Sequence, residues 1–293
     1  MELPVIDIGP GQFSDEQNER DEGGQKQQEE EHILREIRAA CETTGPGFFY
    51  LKMTAEEEML ADEALKMSRK FFKLPMSTKR RLDNDKDTFY KVDGIAVPGS
   101  GPGYRAPNLD PNFLKDARET YQVGRDDIPE THGKTPFPPE EDLPHFKDVC
   151  TRYMAALMKK SEKLRRAIAM SIGKPQDYFE KYFERGTFLL GMNRYWRRRS
   201  NPETGEYGIA PHEDDGVFTL LHTDGQPGLE IAPDWKGDGR MRSHSMHDPE
   251  LRWEPISHKK GYVRPSPHLS CVDSRSISPH VFSAHFSIKT REF

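Results

Sequence analysis

Cysteine is scarce. Cys41, Cys150 and Cys271 are three residues in 293, far apart and without a C-x-x-C pair, which argues against a disulfide framework or a zinc knuckle. Reduced thiols in the cytosol are the simplest reading. Long apolar runs are also missing: none approaches the roughly 20 residues that span a bilayer, and the opening MELPVIDIG lacks the basic and apolar regions of a secretory leader. A cytoplasmic location without a membrane partner is therefore expected. Positive charge is not in excess, since 43 Lys and Arg against 49 Asp and Glu leave a net charge of -6 and no electrostatic case for nucleic acid. No fixed-period repeat occurs. GSGPGY at 99–104 is glycine-rich, but no Lys-Ser or Lys-Thr pair follows it and a phosphate loop is not supported.

What is present is ordinary for a chain with a buried core: 34% hydrophobic and 31% charged residues, although a mean hydropathy of -0.87 leaves room for unpacked segments. LPVIDI at 3–8 predicts a short strand that stops at Gly9-Pro10. Residues 14–32 are almost wholly polar and predict a solvated loop or insertion. Apolar residues return at helical spacing with Ile33, Leu34, Ile37 and Ala40, GFFYLKM predicts a strand, and Ala55 to Phe72 predicts an amphipathic helix. Residues 83–145 are rich in Pro, Gly and Asp and carry no long period. Phe146 to Ile172 predicts a long helix, with a break midway left open. After Gly186 short apolar runs alternate with turn signals (TFLLGMNRYW, GVFTLL, GLEIA, RWEPI), which predicts a β-rich half behind a mostly helical one.

Within that half, GIAPHEDDGVFTLLHTDGQPGLEI places His212 and Asp214 two residues apart. On a strand this spacing puts an imidazole and a carboxylate on one face, where they can converge on one ion. Two His and one carboxylate on one face are a donor set suited to Fe(II) with positions left open. The pair alone is a weak signal, because a His hydrogen-bonded to a nearby Asp in a loop is commoner. Strand alternation turns Glu213 and Asp215 away from such an ion.

The sequence resembles the isopenicillin N synthase-like branch of the Fe(II)/2-oxoglutarate-dependent dioxygenases. LPVIDIG, GFFYL and RKFFKLPMSTKRRL are similar to that family's helical N-terminal region, and KDARETYQVG at 115–124 to its loop that leads back to the core. MNRYW and the run from His212 to Ile231 are similar to its Asn-x-Tyr strand and its H-x-D-x-G-x-x-T-L-L-x-x-D-x-x-x-G-L pattern. The resemblance implies an α+β chain with a double-stranded β-helix core, of the jelly-roll or cupin-like kind. It would be divided into an N-terminal dioxygenase region (1–125), a linking loop with a core-packing helix (126–185) and a β-helix domain (186–293). It implies Fe(II), 2-oxoglutarate, molecular oxygen and a small-molecule substrate, in a monomer. His212 and Asp214 would be iron ligands, and Asn193 and Tyr195 would line the 2-oxoglutarate pocket, Tyr195 bonding the distal carboxylate. The bland alternative for Tyr195 is a strand aromatic with its hydroxyl at the surface. Arg194, Arg197, Arg198 and Arg199 read as a solvated turn, with attraction of an acidic ligand as the alternative.

The chain departs from the pattern near its end, where the family has V-x-N-x-G-D, a third-ligand His and Arg-x-Ser. GYV at 261–263 fits the start. SISPHVF then offers His280 as third ligand, with Arg291 eleven residues on as the 2-oxoglutarate cation, and no closing strand is expected after Phe293. His268 and His285 compete with His280, and His244 and His247 fall in an insertion. Two readings stay open. One is an oxygenase that hydroxylates, desaturates or cyclises a small metabolite; the other is a non-catalytic member that acts by binding, since function belongs to the site and not to the fold.

Overall fold

The fold depends on an apolar helix pair laid across one face of a mixed sheet. The computed structural model describes residues 3–9, 12–13, 23–41, 47–83, 89–92, 95–98, 101–107, 115–116, 118–129, 132–184, 186–195, 206–207, 218–226, 230–231, 254–255, 262–265 and 283–291. It describes backbone alone at 23, 89–92, 95–98, 115–116, 187, 206–207 and beyond 226. In chain order the elements are β1 (Val5–Ile6), α1 (Gly23–Cys41), β2 (Tyr50–Leu51), α2 (Ala55–Phe72), α3 (Met76–Arg80), β3 (Phe89–Val92), β4 (Ile95–Pro98), β5 (Gly103–Arg105), β6 (Lys115–Asp116), β7 (Arg118–Gly124), α4 (Phe146–Ser171), α5 (Glu180–Phe183), β8 (Thr187–Tyr195), β9 (Glu206–Tyr207), β10 (Phe218–Thr223), β11 (Glu230–Ile231), β12 (Glu254–Pro255), β13 (Tyr262–Pro265) and β14 (Ser283–Arg291).

Helix α2 has the bounds its periodicity predicts, and its start is over-determined. Thr54 Oγ1 accepts from the Glu57 amide at 3.2 Å, and Glu57 Oε2 accepts from the Thr54 amide at 2.8 Å, a reciprocal capping box. The same Glu57 oxygen takes the Lys160 ammonium at 2.6 Å, which pins the start of α2 to α4. Helix α4 runs unbroken for 26 residues. It stops where Gly173 takes φ +72°, a left-handed turn that a Cβ would strain. Helix α1 begins at Gly23, ahead of its first apolar residue, so the second part of the expected loop 14–32 is helical; residues 14–22 lie outside the described residues. Lys, Gln and Glu are good helix formers, and Ile33, Ile37 and Ala40 bury the far end of α1. A reading of apolar period alone misses the polar first turns.

The main sheet has the order β13-β10-β14-β8-β7-β5. β5, β7 and β8 are successively antiparallel, β14 runs parallel to both β8 and β10, and β13 is antiparallel to β10. One expectation is corrected: KDARETYQVG is not a loop, because Arg118–Gly124 is a full strand beside β8. Ahead of Phe293 the tail forms a nine-residue strand inserted between β8 and β10. One face of this sheet carries the core. Phe71 of α2 meets Tyr121 at 4.3 Å, Phe146 at 5.2 Å and Tyr104 at 6.3 Å between ring centroids, joining both helices to β5 and β7.

A carboxylate lies inside this apolar layer. Glu119 of β7 is fully buried and accepts from Lys79 Nζ at 2.7 Å, Tyr104 OH at 2.6 Å and Arg194 Nη1 at 2.6 Å. Lys79 and Arg194 also donate to the Phe72 carbonyl, at 3.1 and 3.4 Å, and so satisfy the end of α2. Arg194 is thus an interior counter-ion and not part of a solvated turn; Arg197, Arg198 and Arg199 lie outside the described residues. Burial, with the Glu119 bond second, pushes the Tyr104 hydroxyl well above its ordinary pKa and keeps it a donor.

The connection from β7 to α4 is strapped along β7. Tyr121 OH donates to the Pro136 carbonyl at 3.0 Å and the Gly124 amide to Thr135 Oγ1 at 3.0 Å. His132 is fully buried, and its Nδ1 donates to the Gly133 carbonyl at 2.7 Å. Its ring lies on Gly124 so closely that a Cβ there would stand 2.3 Å from Cε1.

Replacing Glu119 with Ala strands Lys79 and Arg194 without their carboxylate and is expected to cost about 3–5 kcal/mol. E119Q, which keeps a hydrogen-bonding amide, should lose less. Urea unfolding followed by fluorescence measures both, and an unchanged midpoint in E119A would refute the role given to the cluster. His132 supplies a pH test. Burial holds its pKa below the ordinary 6.5, with Arg125 opposing the proton and the Gly133 carbonyl, Asp126 and Asp127 favouring it. The unfolded chain therefore binds the proton more readily. The stability from the neutral ring is complete above about pH 6.5 and is lost as pH falls through the lowered folded value. His132→Gln should flatten the decline of the urea midpoint between pH 7 and 5, and a slope equal to wild type would refute this.

Candidate active site

Strands β7 and β8 have two opposite characters because their side chains alternate. Glu119, Tyr121 and Val123 of β7 and Phe188, Leu190, Met192 and Arg194 of β8 turn to the helices and their core. Arg118, Thr120 and Gln122 share the other face with Leu189, Asn193 and Tyr195, since the register pairs Arg118 with Tyr195, Thr120 with Asn193 and Gln122 with Gly191. Arg105 of β5 joins them opposite Thr120. Thr219, Leu221 and Thr223 lie on this face of β10, alternating with the core-side Phe218, Leu220 and His222.

This second face is polar yet shielded. Asn193 and Tyr195 are 6% and 8% exposed. Burial of Tyr195 removes the reading of a hydroxyl at the protein surface. Asn193 Oδ1 accepts from Thr120 Oγ1 at 2.9 Å and from Arg118 Nη1 at 3.4 Å, so two donors from β7 hold the amide. Among the described residues on this face there is no Asp or Glu. It is a surface of hydroxyls, amides and guanidinium groups, suited to a bound anion.

The structure brings three of the six expected site positions to this region. Asn193 and Tyr195 are neighbours on β8, and β14 sets position 291 beside Tyr195 and position 289 beside Asn193. His285 stands in β14 between Thr219 and Leu189 in register. His212, Glu213, Asp214, Asp215, His244, His247, His268 and His280 lie outside the described residues. Among the described residues no group of three His, Cys, Asp or Glu could hold a metal ion. Arg105, Arg118 and Thr120 are not among the residues that the sequence motifs single out. Their signal is the polar–apolar alternation of RETYQVG, a period-2 strand within a stretch rich in Pro, Gly and Asp.

Comparison with known proteins agrees with this architecture. Residues 3–143 match the family described as the N-terminal region of a non-haem dioxygenase in morphine synthesis. A 2-oxoglutarate-Fe(II) type oxidoreductase of Metarhizium majus is 28% identical over 258 residues, 78% of this chain and 62% of the relative, so this chain spans under two thirds of that protein's length. A putative 2OG-Fe(II) oxygenase family protein from Caulobacter crescentus superimposes with a TM-score of 0.63 at 18% identity over 91% of this chain and 74% of that one. JOX2, solved with 2OG, Fe and JA, gives a TM-score of 0.61 at 20% identity over 94% and 68%. The structural neighbours establish a shared fold. The matched N-terminal region and the named relative make this chain similar in sequence to non-haem dioxygenases and 2-oxoglutarate-Fe(II) type oxidoreductases.

Proposed function

We propose that this chain is a non-haem, Fe(II)- and 2-oxoglutarate-dependent oxygenase whose β-rich half is a double-stranded β-helix and whose substrate is a small organic molecule. The observation that carries this reading is the shielded face on which Arg118, Thr120, Asn193 and Tyr195 converge beside register position 291. Hydroxyl, amide and guanidinium donors fit a carboxylate, so the residues present fit 2-oxoglutarate. His212, Asp214 and His280 are the proposed iron ligands, a donor set that suits Fe(II). Bound iron, with 2-oxoglutarate and oxygen, supplies the oxidising power for hydroxylation, desaturation or ring closure. The chain's own contribution is orientation and exclusion of water. Tyr195 donates its hydroxyl to the distal carboxylate. Thr120 and Arg118 hold the Asn193 amide still, and the apolar layer behind β7 and β8 keeps this face rigid.

Iron binding tests this reading under anaerobic conditions. Titration of Fe(II), or Mn(II) as a redox-silent substitute, is expected to show one site in the wild type and E213A. In H212A and D214A affinity should fall by about two orders of magnitude or more, because each substitution removes one of the three proposed donors. Equal affinity in all four proteins would refute the ligand assignment. Absence of a site in the wild type would leave the binding-only alternative.

A further inference from the structure

We infer that Arg118, with Arg105 beside it, forms a carboxylate-binding subsite next to Tyr195, on the side opposite register position 291. The inference deepens the oxygenase reading and rests on it for the identity of the site. It rests on three strands meeting in one register. Antiparallel pairing sets Arg118 of β7 directly beside Tyr195, and parallel pairing sets Arg291 of β14 directly on its other side. One row across the sheet therefore reads Arg118, Tyr195, Arg291. The next row reads Arg105, Thr120, Asn193, Lys289. Cationic residue types thus occur in both rows, and no Asp or Glu occurs among the described residues of this face.

Position and chemistry both favour a bound carboxylate. Arg118 is partly exposed and lies on the face opposite Arg194, whose guanidinium is engaged by Glu119. Its Nη1 reaches Asn193 Oδ1 at 3.4 Å, which directs the group across the face toward Asn193. A guanidinium presents paired N–H donors that match the two oxygens of a carboxylate, and the Tyr195 hydroxyl adds a third donor. Glu119, the next residue, points into the opposite face and is engaged by Lys79, Tyr104 and Arg194. Strand alternation thereby keeps that carboxylate away from the face of Arg118. The carboxylate bound here belongs either to the co-substrate or to an acidic organic substrate, and the two sources separate by experiment.

The full chain loaded with Mn(II) is titrated by calorimetry with 2-oxoglutarate, glutarate and hexanoate, in the wild type and in R118Q, R118K, R105Q and R291Q. R118Q is expected to weaken carboxylate binding by roughly tenfold to a hundredfold, with part recovered in R118K and the Mn(II) affinity unchanged. Loss confined to 2-oxoglutarate and glutarate assigns the subsite to the co-substrate. Loss confined to hexanoate, measured with 2-oxoglutarate saturating, assigns it to an acidic substrate. The inference is overturned if R118Q binds all three acids as the wild type does, or if the wild type binds none of them. A chain that takes no Mn(II) but binds glutarate or hexanoate through Arg118 would refute the oxygenase reading and keep the subsite.

Discussion

A buried carboxylate holds the two halves of the molecule together. Glu119 lies beside the end of helix α2 and the last turn of α3, where three strands of the sheet meet, and its partners Lys79, Tyr104 and Arg194 come from α3, β5 and β8. An isolated carboxylate in such a place would be very costly. With two cations and a phenol hydroxyl converging on it, the charge is compensated and its geometry is specified. The Phe72 carbonyl, which the helix cannot satisfy itself, takes donors from the same cations. A polar cluster of this kind favours one register of β7 against β8 over its neighbours, because a slip by one residue would turn Glu119 out and Arg118 or Thr120 in.

That register also arranges the opposite face. Since β7 and β8 are locked with Glu119 next to Arg194, Arg118 falls beside Tyr195 and Thr120 beside Asn193. The apolar side of the same strands, with Phe71, Tyr121 and Phe146 in mutual ring contact, gives the polar side a stiff backing. Stiffness of the polar face thus derives from packing on the opposite face. The strap from His132 to Pro136 performs a related task at the end of β7, where the absence of a Cβ at Gly124 admits the His132 ring.

The carboxyl-terminal strand is carried by its period. SAHFSIKTR departs from the Arg-x-Ser ending of the family. Judged by period, its Ala284, Phe286 and Ile288 alternate with polar residues, which is the pattern of a strand with one buried face. The sheet accepts it in parallel between β8 and β10. Arg291, suggested earlier by its interval from His280, acquires a different kind of support from lying beside Tyr195 in register.

By itself the sequence determined the elements with strong local signatures. Helices α2 and α4 declare themselves by apolar spacing, and β8 and β10 by short apolar runs between turn signals. It also pointed to Asn193 and Tyr195, because a motif and its interval are carried by the chain alone. That Arg105 and Arg118 would share the face of Tyr195 was not legible, since they are separated from it by tens of residues and reach that face only through strand pairing. Nor was the fate of Arg194, which local composition assigns to solvent and which Glu119, 75 residues earlier, draws into the interior. Local propensity is a property of neighbours in sequence; counter-ions and shared faces are properties of neighbours in space, and only the tertiary structure decides those.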